Sequence, residues 1–410
     1  MSHMRGKLSK ALCLVLLAAV ILGSAGSAFA EKTIQLTFTG DVTLGGKNEG
    51  RNRPESFESY AKDKGYDWFF ANFREMFAED DLTVVNLEGV LSDRDYDEKK
   101  KTHTFRGATA LAEILPRSGI EAATISNNHI QDFGDQGVKS TKKTLDANGI
   151  LWARDLKYIL YEKDGVKIAL FALQNTLINT KRAQLKQAIA DAKEKDGASA
   201  VIACWHTGTE YKGTHNKDTE TKVKGLIDNG VDLVIIHHPH VAQGMGVYNN
   251  RSIFWSLGNF VFGGNPNIRA GKNSKDPLTI SLYATVVRAT LTFSNDGKYL
   301  GQQTVMVPVY TSGAAPDYKK GEQPYPANNY QPIRLTLEQA EPVYECIRRD
   351  TPEGLLPPMT ENNGLAEIVF PYMPAFDGVM FPEEDDEDGM IGVPQAASPK
   401  VTRETKSAGI

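Results

Sequence analysis

From Thr33 onward, short apolar runs rich in β-branched residues alternate with amphipathic segments of helical period. The runs fall at residues 34–39, 82–85, 122–125, 166–172, 200–204, 233–236 and 253–257, and predict strands. Helices are predicted at 68–77, 109–115, 136–147, 182–193 and 219–227. Asn148-Gly149 and Asn229-Gly230 provide stops for two of them, because glycine accepts the left-handed conformation that ends a helix. Alternation of this kind predicts an α/β layered domain with a largely buried sheet. Residues 278–309 change to period two around Asn295-Asp296-Gly297, which predicts a β-hairpin added to the same domain. No internal repeat is visible. Beyond Tyr310 the chain turns rich in Pro, Asn and Gly, so 311–382 reads as a C-terminal extension with one docking helix at 335–348. The uninterrupted acidic run at 383–388 opens a solvated tail, 383–410.

Composition narrows the class. The 410 residues are 41% hydrophobic, with 46 Lys+Arg against 51 Asp+Glu, which excludes a polytopic membrane protein, a disordered chain and a disulfide miniprotein. Arg5, Lys7 and Lys10 precede an apolar run at 11–22 and the small-residue site Ala28-Phe29-Ala30, the pattern of a signal peptide over residues 1–30. The uncharged stretch 11–30 is just long enough to serve as an uncleaved anchor instead; in both cases the body, from residue 31, lies outside the cytoplasm. Cys13 has no small-residue lipobox before it. Without the first thirty residues 43 basic and 51 acidic side chains remain, a net of -8, and such a surface argues against nucleic acid as a partner. Cys204 and Cys346 could pair in an oxidising compartment, whereas a buried inert thiol is the simpler reading of Cys204.

The polar residues sit where the runs end: Gly40-Asp41, Asn86-Leu87-Glu88, Asn127-Asn128-His129, His206, and His237-His238-Pro239-His240. In open α/β sheets the carboxyl ends of strands converge on the ligand crevice. A single Gly-Asp usually forms only a turn, Asn-Asn-His usually caps a helix, and a lone His such as His206 is usually hydrogen-bonded structure. Together, however, Asp41, Glu88, Asn128, His206, His238 and His240 make a mixed oxygen and nitrogen donor set. It suits one or two divalent ions of zinc, manganese or iron better than calcium.

These ordered motifs, with Asp132, Gly134, Thr207-Gly208-Thr209-Glu210-Tyr211, Gln243 and Ser256-Leu257-Gly258-Asn259-Phe260, resemble the bacterial capsule-synthesis proteins of the CapA/PgsA group, which is related to calcineurin-like metallophosphoesterases. The resemblance covers about residues 33 to 310. It implies a metallo-dependent phosphatase-like fold, a four-layer α/β/β/α sandwich over 31–310, and a role in making or exporting poly-γ-glutamate capsule at the cell envelope. It further implies that Asp41 and His240 serve a first metal, that Asn128, His206 and His238 serve a second, and that Glu88 bridges them. His129 would be the cation or proton donor facing the leaving group. Two departures stand out: the phosphoesterase Asp-x-His reads Asp41-Val42-Thr43, losing one imidazole, and the group's His-Trp-Gly reads His206-Thr207-Gly208.

In a catalytic site, Asp132 and Glu210 are candidates for orienting ring nitrogens, while their alternative is ordinary capping or surface carboxylates. Arg106, Arg269 and Asn259 are candidates for meeting an anionic substrate, since guanidinium fits carboxylate and phosphate. His103 and His215 receive no role. Two functions of different class remain: a metal-dependent hydrolase or transferase acting on an anionic polymer or phosphoester of the envelope, or a non-catalytic accessory component working with membrane capsule-synthesis subunits. The missing imidazole at Thr43 favours the second and the survival of His129 favours the first.

Overall fold

The computed structural model describes residues 31–51, 53–269 and 274–376. The expected signal peptide with Cys13, and the acidic tail, lie outside the described residues. The compact unit runs to Phe376, and among the described residues no helix is long and apolar enough to cross a membrane.

Two sheets form the centre. The larger runs in the order Thr360–Asn362, Leu365–Val369, Tyr299–Tyr310, Tyr283–Phe293, Lys32–Thr43, Leu82–Leu87, Ala122–Thr124, Leu151–Ala153, with Asn259–Phe262 paired beside Lys32–Thr43. The smaller runs Met245–Tyr248, Arg251–Phe254, Leu233–His237, Ala198–His206, Val166–Gln174, Ile159–Lys163. The period-two sorting of each strand shows how they stack. In Val166–Gln174 the residues Ile168, Leu170 and Ala172 join one apolar cluster with Leu36, Phe38 and Val84 of the other sheet. The intervening Ala169, Phe171 and Leu173 join a different cluster, with Leu185 and Val223 from helices Arg182–Glu194 and Lys217–Asp228. On the far side of the larger sheet, Val85 and Leu87 pack with Phe77, Ile114 and Leu145. Three cores between four layers make an α/β/β/α sandwich, and burial on both faces explains why these strands read as nearly unbroken apolar runs.

Most predicted elements stand within a few residues of their expected ends. Helices Gly134–Ala147 and Lys217–Asp228 stop where Gly149 and Gly230 take φ of 70° and 102°. The hairpin pairs Tyr283–Phe293 with Tyr299–Tyr310 around Gly297 at φ 87°. The helix expected at 68–77 is a correction. The chain there makes turns at Tyr66–Trp68 and Ala71–Phe73 before a short helix Arg74–Ala78. Phe69, Phe70, Phe73 and Phe77 are all buried. On an ideal helix they would share one stripe about 100° wide, which is why the run reads as helical, and their packing partners rather than their spacing set the turns. Breaking the helix lets Phe69 stack on Phe57 with centroids 4.2 Å apart, while Phe73 meets Phe260 edge-on at 4.9 Å. The possible disulfide is also corrected: Cys204 and Cys346 are separate buried thiols, and burial raises the Cys346 thiol to about 12.

Residues 311–376 continue the larger sheet. Ile333–Arg334, Leu365–Val369 and Met373–Pro374 all pair with Tyr299–Tyr310. The expected docking helix, Leu337–Arg349, starts on a Thr336/Gln339 capping box and buries Val343, Cys346 and Ile347 in the core between the sheets. A chain ended after Tyr310 will therefore open that core to water. We expect it to aggregate on expression, and Ile347→Ala in the full chain to lose about 2–4 kcal/mol in chemical denaturation.

Candidate metal centre

Strand register brings the chemistry together before any side chain is considered. Asp41 lies beside Asn86 on one parallel neighbour and Asn259 on the other. In the facing sheet His206 lies beside His237. A register irregularity between Phe38 and Asp41 re-aims the end of the first strand. Gly40 is required there, since a Cβ would sit 2.3 Å from the carbonyl oxygen of Gly258, the same oxygen that accepts from Asp41 N at 2.9 Å. His238 and His240 flank Pro239 with φ of 101° and 60°, conformations that cost non-glycine residues energy and are retained where a site needs them. The His238 N–H donates to Asp41 Oδ2 at 3.2 Å, which holds this strained loop against the first strand.

Glu88 sits at the centre. It is fully buried, and neither carboxylate oxygen has a hydrogen-bond partner. Burial raises its carboxyl to about 7. Around it, His206 Nε2 lies 3.5 Å, His129 Nε2 3.7 Å and His240 Nε2 3.9 Å from Oε1. Ligand atoms of Glu88, His238 and His240 lie within 4.8 Å of one another, as do those of Asp41, Glu88 and His206. Donors each about 2.0–2.2 Å from one ion stand roughly 3–3.6 Å apart, and the 3.5 and 3.9 Å separations of Glu88 Oε1 from His206 and His240 are close to that spacing. A buried carboxylate without donors, placed among imidazoles, is what a cation would satisfy. These residues can hold a metal, with Glu88 common to both groups. Asp41 lies against His240, with Nδ1 3.2 Å from Oδ2, as well as near His206, whose Nδ1 is 4.0 Å from Oδ1.

The charge states suit this. Burial lowers His206 and His238 to about 3, so both rings are neutral near pH 7, the form that binds metal. For His240 burial pulls downward, but the facing Glu88 and Asp41 carboxylates outweigh it and raise the ring above its ordinary value. Burial likewise pushes Asp41 up, and contacts from His237 and His240 bring it well below the usual carboxylate range. His240 Nδ1 is 2.9 Å from Asn259 Oδ1, which turns Nε2 toward Glu88. Asn259 thus stands behind a ligand, a different post from the substrate contact expected of it.

Of the remaining candidates, Asn128 Oδ1 is 2.8 Å from His206 Nε2. Asp132 is fully buried and lies 2.7 Å from His129 Nδ1 while accepting from Phe105 N. Glu210 is exposed at the rim, near enough for its charge to act on Glu88 and His238. Arg106 is not brought into the site: its guanidinium donates to Ser92 O at 2.6 Å, pairs with Asp95 and lies over Phe133. The sequence reading missed four participants. Asn86 Nδ2 contacts both Asp41 Oδ1 at 2.8 Å and His206 Nδ1 at 3.2 Å. His237 Nδ1 is 3.4 Å from Asp41 Oδ1. Lys101 reaches Asp132 at 2.5 Å and His129 Nδ1 at 3.3 Å from a polar loop that carries no pattern. Thr43 donates to the Glu88 carbonyl at 2.8 Å, so the residue in place of the expected imidazole anchors the central carboxylate's backbone. Asn86 and His237 lie inside quoted motifs, and strand alternation could have singled them out.

The sequence pattern described as bacterial capsule synthesis protein PGA_cap matches residues 35–264. The chain is 28% identical over 258 residues to the capsule biosynthesis protein CapA of Bacillus anthracis, covering 57% of this chain and 60% of that protein. It is equally 28% identical over 258 residues to the PGA biosynthesis protein CapA of Bacillus subtilis, covering 57% and 64%. The matched region thus spans less than two thirds of either relative. A crystal structure of a hypothetical protein from Thermus thermophilus aligns with a TM-score of 0.40 at 13% identity, over 67% of this chain and 99% of that one.

Two outcomes test the centre. Purified protein should take up zinc or manganese and gain thermal stability, and Glu88→Gln or the pair His238→Ala and His240→Ala should abolish uptake; protein that stays metal-free in both ions would remove the assignment. In metal-free protein at pH 8, Glu88→Gln should raise stability by an amount on the order of 2–3 kcal/mol. The folded-state carboxyl, near 7 against 4.5 unfolded, binds more protons than the unfolded one between those values. The penalty of its charge therefore exists above about pH 7, and the advantage of the variant should fade as pH falls toward 5.

Proposed function

Because the chain belongs to the bacterial capsule synthesis protein family PGA_cap, we propose that it acts in capsule synthesis or export outside the cytoplasm, as a metal-dependent hydrolase or transferase on an anionic envelope substrate. The observation that carries this reading is the donor-free Glu88 carboxylate ringed by Asp41, His206, His238 and His240, with His129 aimed at it from the side. A carboxylate-rich polymer, the PGA of one relative's name, is the substrate class we favour, with a phosphoester as the alternative. Zinc, manganese or iron suits the donors, and Glu88 would be shared if two ions are held. When bound, such an ion supplies Lewis-acid polarisation of a carbonyl or phosphoryl oxygen and a nucleophile available near neutral pH.

The chain's own groups supply the rest. His129 is pinned by three contacts: Nδ1 faces Asp132, the backbone N–H donates to Asn127 Oδ1 at 3.1 Å, and the ring packs on Phe105 with centroids 4.3 Å apart. The Nδ1–H donates to Asp132, which orients the ring with Nε2 toward the reacting centre. In the doubly protonated form the Nε2–H is the proton that would pass to a leaving group, and Asp132 supports the imidazolium charge until it does. Lys101 neutralises the second oxygen of Asp132. Phe105 packs on His129 and Phe262 on His240, which places apolar surface beside both rings.

His129→Ala in metal-loaded protein should reduce turnover of a generic phosphoester or of polyglutamate by about 10²–10⁴-fold with metal content unchanged. Asp132→Asn should lower the rate with little change in KM. Full metal occupancy with no turnover of either substrate would transfer the site to the accessory, non-catalytic role. Capsule restored to a deletion strain by His129→Ala would show that the cell does not require this proton transfer.

A further inference from the structure

Beside the metal centre lies a second, unassigned cavity of about 290 Å³, walled by the loops that leave Lys32–Thr43 and Asn259–Phe262. It is continuous in structure with the centre. Asn265 in its wall donates to the Tyr211 hydroxyl at 3.3 Å, and the Tyr211 ring is 6.0 Å from that of His240. Gly264, also in the wall, backs directly onto Phe105, where a Cβ would come within 2.7 Å of the ring. Phe105 in turn packs on His129. One aromatic partition therefore has the proton donor on one side and this cavity on the other.

The cavity wall carries three cations, Lys47, Arg53 and Arg269, and three carboxylates, Glu49, Glu55 and Glu58, and the pairing among them is uneven. Glu58 in its wall is neutralised by Arg51 at 3.2 Å. Lys47, Arg53 and Arg269 also line it, and among the described residues none of the three forms an ion pair, against the two other carboxylates, Glu49 and Glu55. Lys47 and Arg269 are close enough that the guanidinium, after burial itself, lowers the ammonium from its ordinary value, and both act in the same sense on His103, which stacks beside Phe105. Among the described residues, Glu49 acts on Lys47 through its charge and Arg269 contacts Asn265 Oδ1 at 3.4 Å, and two like charges gathered at a concave wall would be further stabilised by an anion between them. At about 290 Å³ the space is at the lower limit for a small-molecule site and takes one unit of a longer substrate.

We propose that this cavity is an anion subsite in which Lys47 and Arg269 bind a carboxylate of an extended acidic chain whose neighbouring unit lies at the metal centre. The inference rests on the functional reading above for the identity of the chain, but its geometry does not depend on catalysis. A polymer bearing one carboxylate per unit would present another of its charges to Lys47 and Arg269 while one unit occupies the metal centre, so the subsite favours long acidic substrates over isolated small ones.

The test is equilibrium binding to metal-loaded full-length protein, with a short fluorescent glutamate oligomer and, separately, inorganic phosphate as probes. Lys47→Ala and Arg269→Ala should each weaken the oligomer about tenfold or more, the scale of one charge-assisted hydrogen bond, with metal content unchanged. The salt dependence of binding should become shallower, and the charge-preserving Lys47→Arg should recover most of the affinity. Oligomer affinity unaltered in the double variant overturns the proposal. So does loss of phosphate binding in that variant when the oligomer binds neither protein, since the anion site would then not serve an acidic chain. Absent turnover with this affinity pattern intact would remove the hydrolase reading and leave the subsite standing. His129-dependent turnover with affinity indifferent to the cavity charges would do the reverse.

Discussion

A carboxylate buried without a hydrogen-bond donor is the constraint around which this molecule is arranged. Isolated in a dry interior, Glu88 would stay protonated or draw a cation, and the groups that surround it make no hydrogen bond to either oxygen. His206 and His238 are held neutral by the same burial, so they offer lone pairs rather than protons. Asp41 differs because its oxygens are occupied by Asn86, the His238 backbone and nearby imidazoles. Of the two central acids, one is satisfied by the fold and the other is left for a metal.

Holding that arrangement takes two sheets. Glu88 and Asp41 come from parallel strands of the larger sheet, and His206 and His237 from parallel strands of the smaller one. The layers keep their separation through an apolar core in which Leu36, Phe38, Ile168 and Ile202 interdigitate. The C-terminal residues belong to this mechanical frame as well, since Val343 and Ile347 close the same core. His238 and His240 are among the non-glycine residues with positive φ, and contacts to Asp41 and Asn259 hold their loop in that conformation.

Outside the donors a second ring gives each imidazole one orientation: Asn259 behind His240, Asn86 behind His206, Asp132 with Lys101 behind His129. The division of labour is consistent with chemistry at a single point approached from two sides, with a metal-binding set below and a proton donor beside it. An aromatic partition of Phe105 and Phe262 separates that point from the basic cavity, so a long acidic substrate could be gripped and processed by adjoining surfaces.

Much of this was legible in the chain itself. Doubly buried strands must be apolar at nearly every position, and the residues that interrupt such runs at their ends are noticed because nothing in the core needs them; Asp41, Glu88, His206 and His240 were visible for that reason. What could not be read were relations between distant segments. Lys101 lies in a polar loop, and only packing brings it to His129 and Asp132. Arg106, in contrast, looks suited to an anion but is held by Ser92 and Asp95 in the fold. The aromatic run after Trp68 has the spacing of one helical face, yet the chain turns there so that Phe69 meets Phe57 and Phe73 meets Phe260, contacts between distant segments that no local period specifies. The sequence by itself determined the alternation of strands and helices and the order in which candidate donors fall at strand ends, because those follow from periodicity and from the residues that interrupt it; the four layers entered only with the family resemblance. Tertiary structure alone decided which donors share Glu88, which side chains orient them and that a cationic cavity adjoins them, because each of these is a contact across register or between sheets, and period and composition do not encode distance.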